Sequence, residues 1–432
     1  MKTFSLYILA AAALVVTGTG CKKDFTNPNA ATQEQTFASD RAATAVAAGL
    51  QRQYATTAAS PLYALVNANG FVTNELILRN AGNIPELQLS TGGSAVDATN
   101  TVLANVWTRS SKIIWEANNV INFANGLNDK SYASGLISFA SIFKALSIGN
   151  MAMLWEKVPD TVGLNVTFID RIDGYRKAVA VLNNAIAAYN ANTPNALVRG
   201  RLGSDIDMIN TLYALKARYS LFAGDYAIAL AAANQVDLTK KSVFSYDALA
   251  QNPVFESATA TNNVFQPIDS TLGLPVALAP NLADQRIPFY IGINPTIAPR
   301  YRIKGFYATG TTQIPIYLPG EMILIKAEAY ARMNPPDLTN ALTELNKVVT
   351  KQPSADIYGV GAGLPPIQGP LTQAQILTEI YRQRSIELFM SGLRLEDMRR
   401  FGRPLTERKR NFFPYPFQER DNNPNTPPDP LN

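Results

Sequence analysis

The sequence predicts a mainly α-helical protein in which four tetratricopeptide-like hairpins stack as a right-handed solenoid and carry an inserted loop-rich lobe. Three observations lead there. Apolar residues recur near a 3.6-residue period along most of the chain. Two helix–turn–helix units share one grammar, residues 209–236 and 321–349, with small residues (Ala217 and Ala229; Ala327 and Ala341) where paired helices must approach closely. Between them, residues 250–319 lose that period and become rich in Pro, Asn, Thr and Gly, too long for a structureless loop inside a compact domain. With 47% hydrophobic and 16% charged residues in 432, the chain can bury a large core and does not have a disordered composition.

Residues 1–20 read as a signal peptide: Lys2, an apolar run from Phe4 to Val16, then small residues before Cys21. The apolar run is too short to span a bilayer. Cys21 is the only cysteine, so no disulfide can form within the chain. A thiol just after the cut can become a thioether to diacylglycerol, and the arrangement resembles a bacterial lipoprotein signal. The alternative is an ordinary secretory signal with an incidental cysteine. Residues 21–36, opening Lys22-Lys23-Asp24 and containing Pro28, read as a flexible tether, and residues 37–432 as a single domain.

Within that domain the first helix is expected at 39–54, started by Ser39 or Asp40. Residues 67–101, dense in Asn, Gly, Ser and Thr, read as loop and as a first ligand-facing segment. A helix follows at 107–123, whose periodicity places Trp107 and Trp115 in the core. The next covers 131–155 and ends at Lys157-Val158-Pro159-Asp160, because proline disfavours helix in the residue before it; its partner spans 172–189. With the pairs at 209–236, 321–349 and 372–401 this makes four hairpins, enough to share a core by stacking. The lobe at 250–319, with short strands or turns, is the second ligand-facing segment.

The stretch 380–402 is dense in both charge signs. Glu387 is three residues from Arg384, and Asp397 three from both Arg394 and Arg400, so each pair shares a helix face. Interleaved Leu388, Phe389, Leu393 and Phe401 suggest that these charges lie partly inside, where planar guanidinium pairing is favoured. Gly392 separates two helices.

The chain contains no histidine, which removes Ser-His-Asp and Cys-His nucleophile systems, HExxH zinc sites and histidine general bases. No cofactor and no metal is implied. The formal charge of +5 comes without a basic tract interleaved with aromatics, so nucleic acid is not an expected partner.

Several pieces together resemble the SusD/RagB family of outer-membrane nutrient-binding lipoproteins. They are Arg384, Glu387-Leu388, Gly392, Arg394, Asp397 and Arg399-Arg400; the helix from Glu321 to Ala329; Gly224-Asp225-Tyr226; Trp107 with Ile114 and Asn118; and Cys21. Gln383 and Ser391 stand where the family often has Glu. The resemblance implies a SusD-like α/α fold, lipid anchoring facing the cell exterior, and a SusC-like TonB-dependent transporter as partner, to which captured oligosaccharide is handed. It makes Arg384, Glu387, Arg394, Asp397 and Arg400 a structural charge network. Sugar recognition needs flat aromatic faces and amide, carboxylate or guanidinium groups for hydroxyls. The candidates are Asn69, Phe71, Asn74, Arg79 and Asn80 in the first segment, and Arg286, Phe289, Tyr290, Tyr301 and Phe306 in the second. Two rivals stand beside this reading: a glycosidase using two carboxylates, and a helical-repeat scaffold that binds other proteins.

Overall fold

Helix formation begins where Asp40 supplies a negative charge to the first turn of α1 (Asp40–Ala55). The computed structural model describes residues 36–261 and 264–431, so the signal peptide, Cys21 and nearly all of the tether lie outside the described residues. The chain divides into two units after Ala42, and the second, which begins at Ala43, holds every element beyond the first turn of α1.

After α1, Ser60 caps α2 (Pro61–Val72) by accepting from the Tyr63 amide. Then come β1 (Leu76–Leu78), α3 (Ile84–Thr91), α4 (Thr101–Asn125), α5 (Lys130–Leu154), β2 (Lys157–Pro159) and β3 (Phe168–Asp170). The chain continues with α6 (Arg171–Ala191), α7 (Ala196–Leu202), α8 (Met208–Phe222) and α9 (Tyr226–Ala233). The lobe contains β4 (Val243–Phe244), β5 (Phe265–Pro267), α10 (Arg286–Tyr290), β6 (Ile291–Ile293), β7 (Tyr301–Ile303) and β8 (Ile314–Pro315). The body resumes with α11 (Pro319–Arg332), α12 (Leu338–Val349), α13 (Gln373–Glu387), α14 (Arg394–Arg400) and α15 (Phe417–Asn422). The protein is mainly helical, and among the described residues its strands pair two by two.

Helices follow one another in space as they do in sequence: α4 packs on α5, α5 on α6, α6 on α8, α8 on α9, α9 on α11 and α11 on α12. The four expected pairs, α5/α6, α8/α9, α11/α12 and α13/α14, are each in contact. Ala217, Ala229, Ala327 and Ala341 are all buried. Close approach is clearest where Gly149 on α5 meets the Tyr219 ring of α8, since a Cβ there would stand 2.2 Å from ring carbons. Helix α5 is long and apolar enough to cross a membrane, yet 89% of its apolar window is buried inside the protein. Its polar positions are used internally: the Asn150 amide donates to the Tyr54 hydroxyl at 2.8 Å.

Residues 67–101 are not the expected loop. Residues 67–72 complete α2, every residue of which is buried, and α3 follows after β1. Trp107 and Trp115 also part company. Trp107 is buried, edge-on to Trp155 at 4.8 Å, with its indole N–H donating to Glu419. Trp115 is 49% exposed, whereas Ile113, Ile114 and Ala117 of the same helix are buried.

Candidate ligand-binding lobe

Although about 190 residues apart in sequence, the two segments singled out as ligand-facing meet in space. Strand β1 pairs antiparallel with β5, Ile77 opposite Gln266, and the Arg79 amide extends the pairing by donating to the Val264 carbonyl at 2.8 Å. The buried Gln266 side chain carries the connection onward, its Oε1 accepting from the Ile303 amide of β7 at 2.9 Å. Strands β6 and β7 form a hairpin with Gly292 opposite Arg302 and Ile293 opposite Tyr301.

An open groove of about 390 Å³ runs between this hairpin and the π-helical turn Phe255–Thr259. Phe255 offers a half-buried ring, and Asn294, Arg302 and Lys304 supply polar groups. Arg302 Nε donates to the Pro299 carbonyl at 3.2 Å and Lys304 Nζ to the Pro288 carbonyl at 3.0 Å, which holds both cations in place. None of the described residues that line the groove is a carboxylate. The arrangement can hold a hydroxyl-rich ligand with an apolar face; it offers no acid–base pair. Among the described residues no group of three His, Cys, Asp or Glu gathers where a metal ion could sit.

The named candidates divide by exposure. Asn69 and Phe71 are buried in α2 and cannot touch a surface ligand: Asn69 donates to the Leu65 carbonyl and accepts from the Leu395 amide, while Phe71 packs edge-on to Phe265. Asn74 adopts a left-handed conformation, φ +63°, and its amide holds the Glu407 carbonyl. Arg79 and Asn80 are exposed just beyond β1. In the second segment Arg286 and Tyr290 are also interior. Tyr290 donates to the Glu387 carbonyl at 2.6 Å, and burial pushes its hydroxyl pKa well up. Phe289 and Phe306 belong to an aromatic cluster, 5.3 Å apart at their centroids, with Tyr358 edge-on to Phe306. Tyr301 is half-exposed on β7 under the Arg300 guanidinium.

Arg286 is 0% exposed and joins lobe to body. Its guanidinium donates to both oxygens of Asp284, to Gln383 and to Glu387. Glu387 accepts in addition from Lys351 at 2.7 Å. Gly320 leaves room for this carboxylate: a Cβ there would lie 1.9 Å from its Oε1. Glu387 therefore pairs with Arg286 and Lys351, and the expected partner three residues back, Arg384, turns instead to Asp397 (2.9 and 3.0 Å). Asp397 does pair with Arg400 at 2.8 Å, whereas Arg394 reaches Glu75 and the Leu272 and Ser385 carbonyls. The cause is the break between α13 and α14, with Met390 at φ +57° and Gly392 at φ +78°. It folds α14 back so that charges meet across the two helices as well as along one.

Phe255, Asn294, Arg302 and Lys304 are absent from the candidates read from the sequence. One signal pointed to two of them: in Tyr301-Arg302-Ile303-Lys304 the cations alternate with apolar residues at the strand period of two, which sets both on one face.

Comparison with known proteins agrees with this architecture. A family model described as the SusD family matches residues 300–428, the segment that holds β7, β8 and helices α11 to α15. No curated protein sequence matches the chain. Among solved structures, a SusD superfamily protein of Bacteroides thetaiotaomicron VPI-5482 is similar with a TM-score of 0.69 at 17% identity, covering 91% of this chain and 100% of its own. One from Parabacteroides distasonis ATCC 8503 has a TM-score of 0.69 at 14% identity, covering 92% and 98%. A SusD-like carbohydrate binding protein of Bacteroides fragilis NCTC 9343 has a TM-score of 0.65 at 16% identity, covering 85% and 87%. Residues 300–428 thus match the SusD family, and the fold is similar to that of SusD superfamily proteins along nine-tenths of the length.

Proposed function

We propose that the protein is a non-catalytic binding protein that takes an oligosaccharide into the β6–β7 groove. The observation that carries this reading is the groove itself: an aromatic ring, an amide and two cations side by side on the lobe. A pyranose has C–H faces that suit a ring and hydroxyls that suit the donors, and such a mixture is the usual lining of a small-molecule site. One structural relative is described as carbohydrate binding, which supports the same ligand class. Of the candidates that are not buried, Phe289, Tyr301 and Phe306 belong to the same lobe and Arg79 and Asn80 follow the β1 strand paired with it, and these five extend the proposed surface.

The test is titration of a polysaccharide and oligosaccharide panel against wild type, Phe255→Ala and Arg302→Ala. A hydrogen bond to a charged group contributes about 1.5–3 kcal/mol, so Arg302→Ala is expected to weaken binding by about tenfold or more. Binding that survives unchanged in both variants would place the ligand elsewhere.

The glycosidase alternative meets a physical obstacle. Glu321 is clamped by Arg218, Glu328 by Arg400 and Arg332, Glu387 by Arg286 and Lys351, Glu396 by Arg171 and Arg399, and Asp397 by Arg384 and Arg400. A general acid needs a raised pKa, and Asp397 is held below the usual carboxylate value. The scaffold alternative predicts recovery of soluble partners only.

In the same reading the chain is a surface lipoprotein of the outer membrane, anchored by a diacylglyceryl thioether on Cys21, and it delivers its ligand to a SusC-type TonB-dependent transporter. Cys21→Ala is expected to abolish incorporation of labelled fatty acid and to release the protein from the membrane fraction of cells lacking the transporter. Retention in that fraction would sink the anchor.

A further inference from the structure

Lys144 is the only charged residue between Ser131 and Leu154 of α5. It is half-buried, and among the described residues it makes no hydrogen bond or ion pair. It lines a cavity of about 70 Å³ bounded by α4, α5, α6 and the turn after β2, well away in sequence from the lobe. Lys177 of α6 reaches the same cavity and is paired with Asp160 at 2.7 Å. Ile148, Met151 and Val158 make apolar wall. Two ammonium groups and one carboxylate thus face an apolar-walled space, one positive charge in excess.

Burial, and then the charge of Lys177, lowers the Lys144 pKa. A charge in such surroundings is costly unless an opposite charge joins it. The space measures the occupant: one water needs about 10–15 Å³ on this scale, so about five or six groups of that size fit. A bare inorganic anion would leave the apolar wall unused, and a sugar would bring hydroxyls to aliphatic carbon.

We propose that this cavity binds a short aliphatic monocarboxylate, its carboxylate between Lys144 and Lys177 and its alkyl chain on Ile148 and Met151. The site is independent of the groove on the lobe, and its test does not depend on the glycan reading.

Butyrate and its neutral isostere butyramide serve as probes, titrated calorimetrically at low ionic strength against the whole mature chain, with Lys144→Met, Lys177→Gln and the remote Lys240→Met beside wild type. Saturable binding of butyrate is expected, at least tenfold weaker for butyramide and for Lys144→Met, weaker for Lys177→Gln, and unchanged for Lys240→Met. Absence of saturation by about 10 mM, above which affinity falls to only a few kcal/mol, overturns the proposal, as does equal binding of butyramide. A ligand-free readout guards against misfolding. Methionine keeps much of the length of the side chain and removes the unpaired charge, so Lys144→Met should unfold at a higher temperature than wild type. A lower midpoint would mean that Lys144 is already neutralised by a protein group, leaving no charge for a ligand to meet.

Discussion

Glu387→Ala is expected to destabilise the protein by about 3–5 kcal/mol, the usual consequence of removing one partner from a buried ion pair. Glu387 is fully buried and serves two cations, Arg286 at 3.0 Å and Lys351 at 2.7 Å. Its loss leaves the Arg286 guanidinium inside the protein with Asp284 and Gln383, and Lys351 with Asp356 alone. A hydrogen-bonded, desolvated charge cannot recover that partner from water. Because Arg286 belongs to the lobe and Glu387 to α13, the same substitution should make residues 250–319 more open to limited proteolysis. Urea unfolding checks the first effect through a lower midpoint at unchanged slope. Glu387→Gln retains the shape and one acceptor and should lose less. A midpoint that stays at the wild-type value for Glu387→Ala would remove Glu387 as the clamp between lobe and body.

The body was legible in the sequence and the interior polar architecture was not, for reasons that individual residues make plain. Helices α4, α6 and α12 each bury one stripe, so apolar residues recur at the helical period; α12 shows it most simply, with Ala341, Leu345, Val348 and Val349 buried. Helix α2 buries all its sides, including Asn67 and Asn69. A helix surrounded by protein has no polar face to set the period, and its asparagines imitate a loop. Asn69 is inside because its amide is occupied, by Leu65 on one side and Leu395 on the other. The charged stretch 380–402 announced itself by composition, and Asp397 and Arg400 pair along one helix as spacing suggests. Its other partners, Arg286 for Glu387 and Glu75 for Arg394, come from far along the chain and are chosen by the fold. The same limit applies to the groove, whose Phe255 and Arg302 stand on different elements joined only by tertiary packing. Trp115 shows the converse: a helical period gives the angle at which a side chain leaves the axis, and it takes the neighbouring helices to decide which angles are covered.

The second large effect concerns Asp397, which accepts from Arg384 through Nε at 2.9 Å and Nη2 at 3.0 Å and from Arg400 through Nη1 at 2.8 Å. Burial by itself pushes the carboxyl pKa up, and the two guanidinium groups outweigh it, so the group is held below its ordinary value of 3.8. A carboxylate whose folded pKa lies below the unfolded one binds its proton more readily in the unfolded chain. The stability it contributes is therefore complete above about pH 4 to 5 and is lost as pH falls through the folded pKa. Asp397→Asn removes the charge at every pH and, among the described residues, leaves the buried Arg384 with Glu328, 4.0 Å away, as its one paired carboxylate. At pH 7 the variant should be less stable by about 3–5 kcal/mol. As the pH is lowered below about 4, protonation brings the wild-type side chain toward the state that asparagine imitates, so the gap between the two should narrow. Urea midpoints of both proteins from about pH 7 to about pH 3 measure this directly. A gap of constant size across that range would mean that Asp397 acts through its shape and hydrogen bonds, and that its charge does not hold α13 to α14.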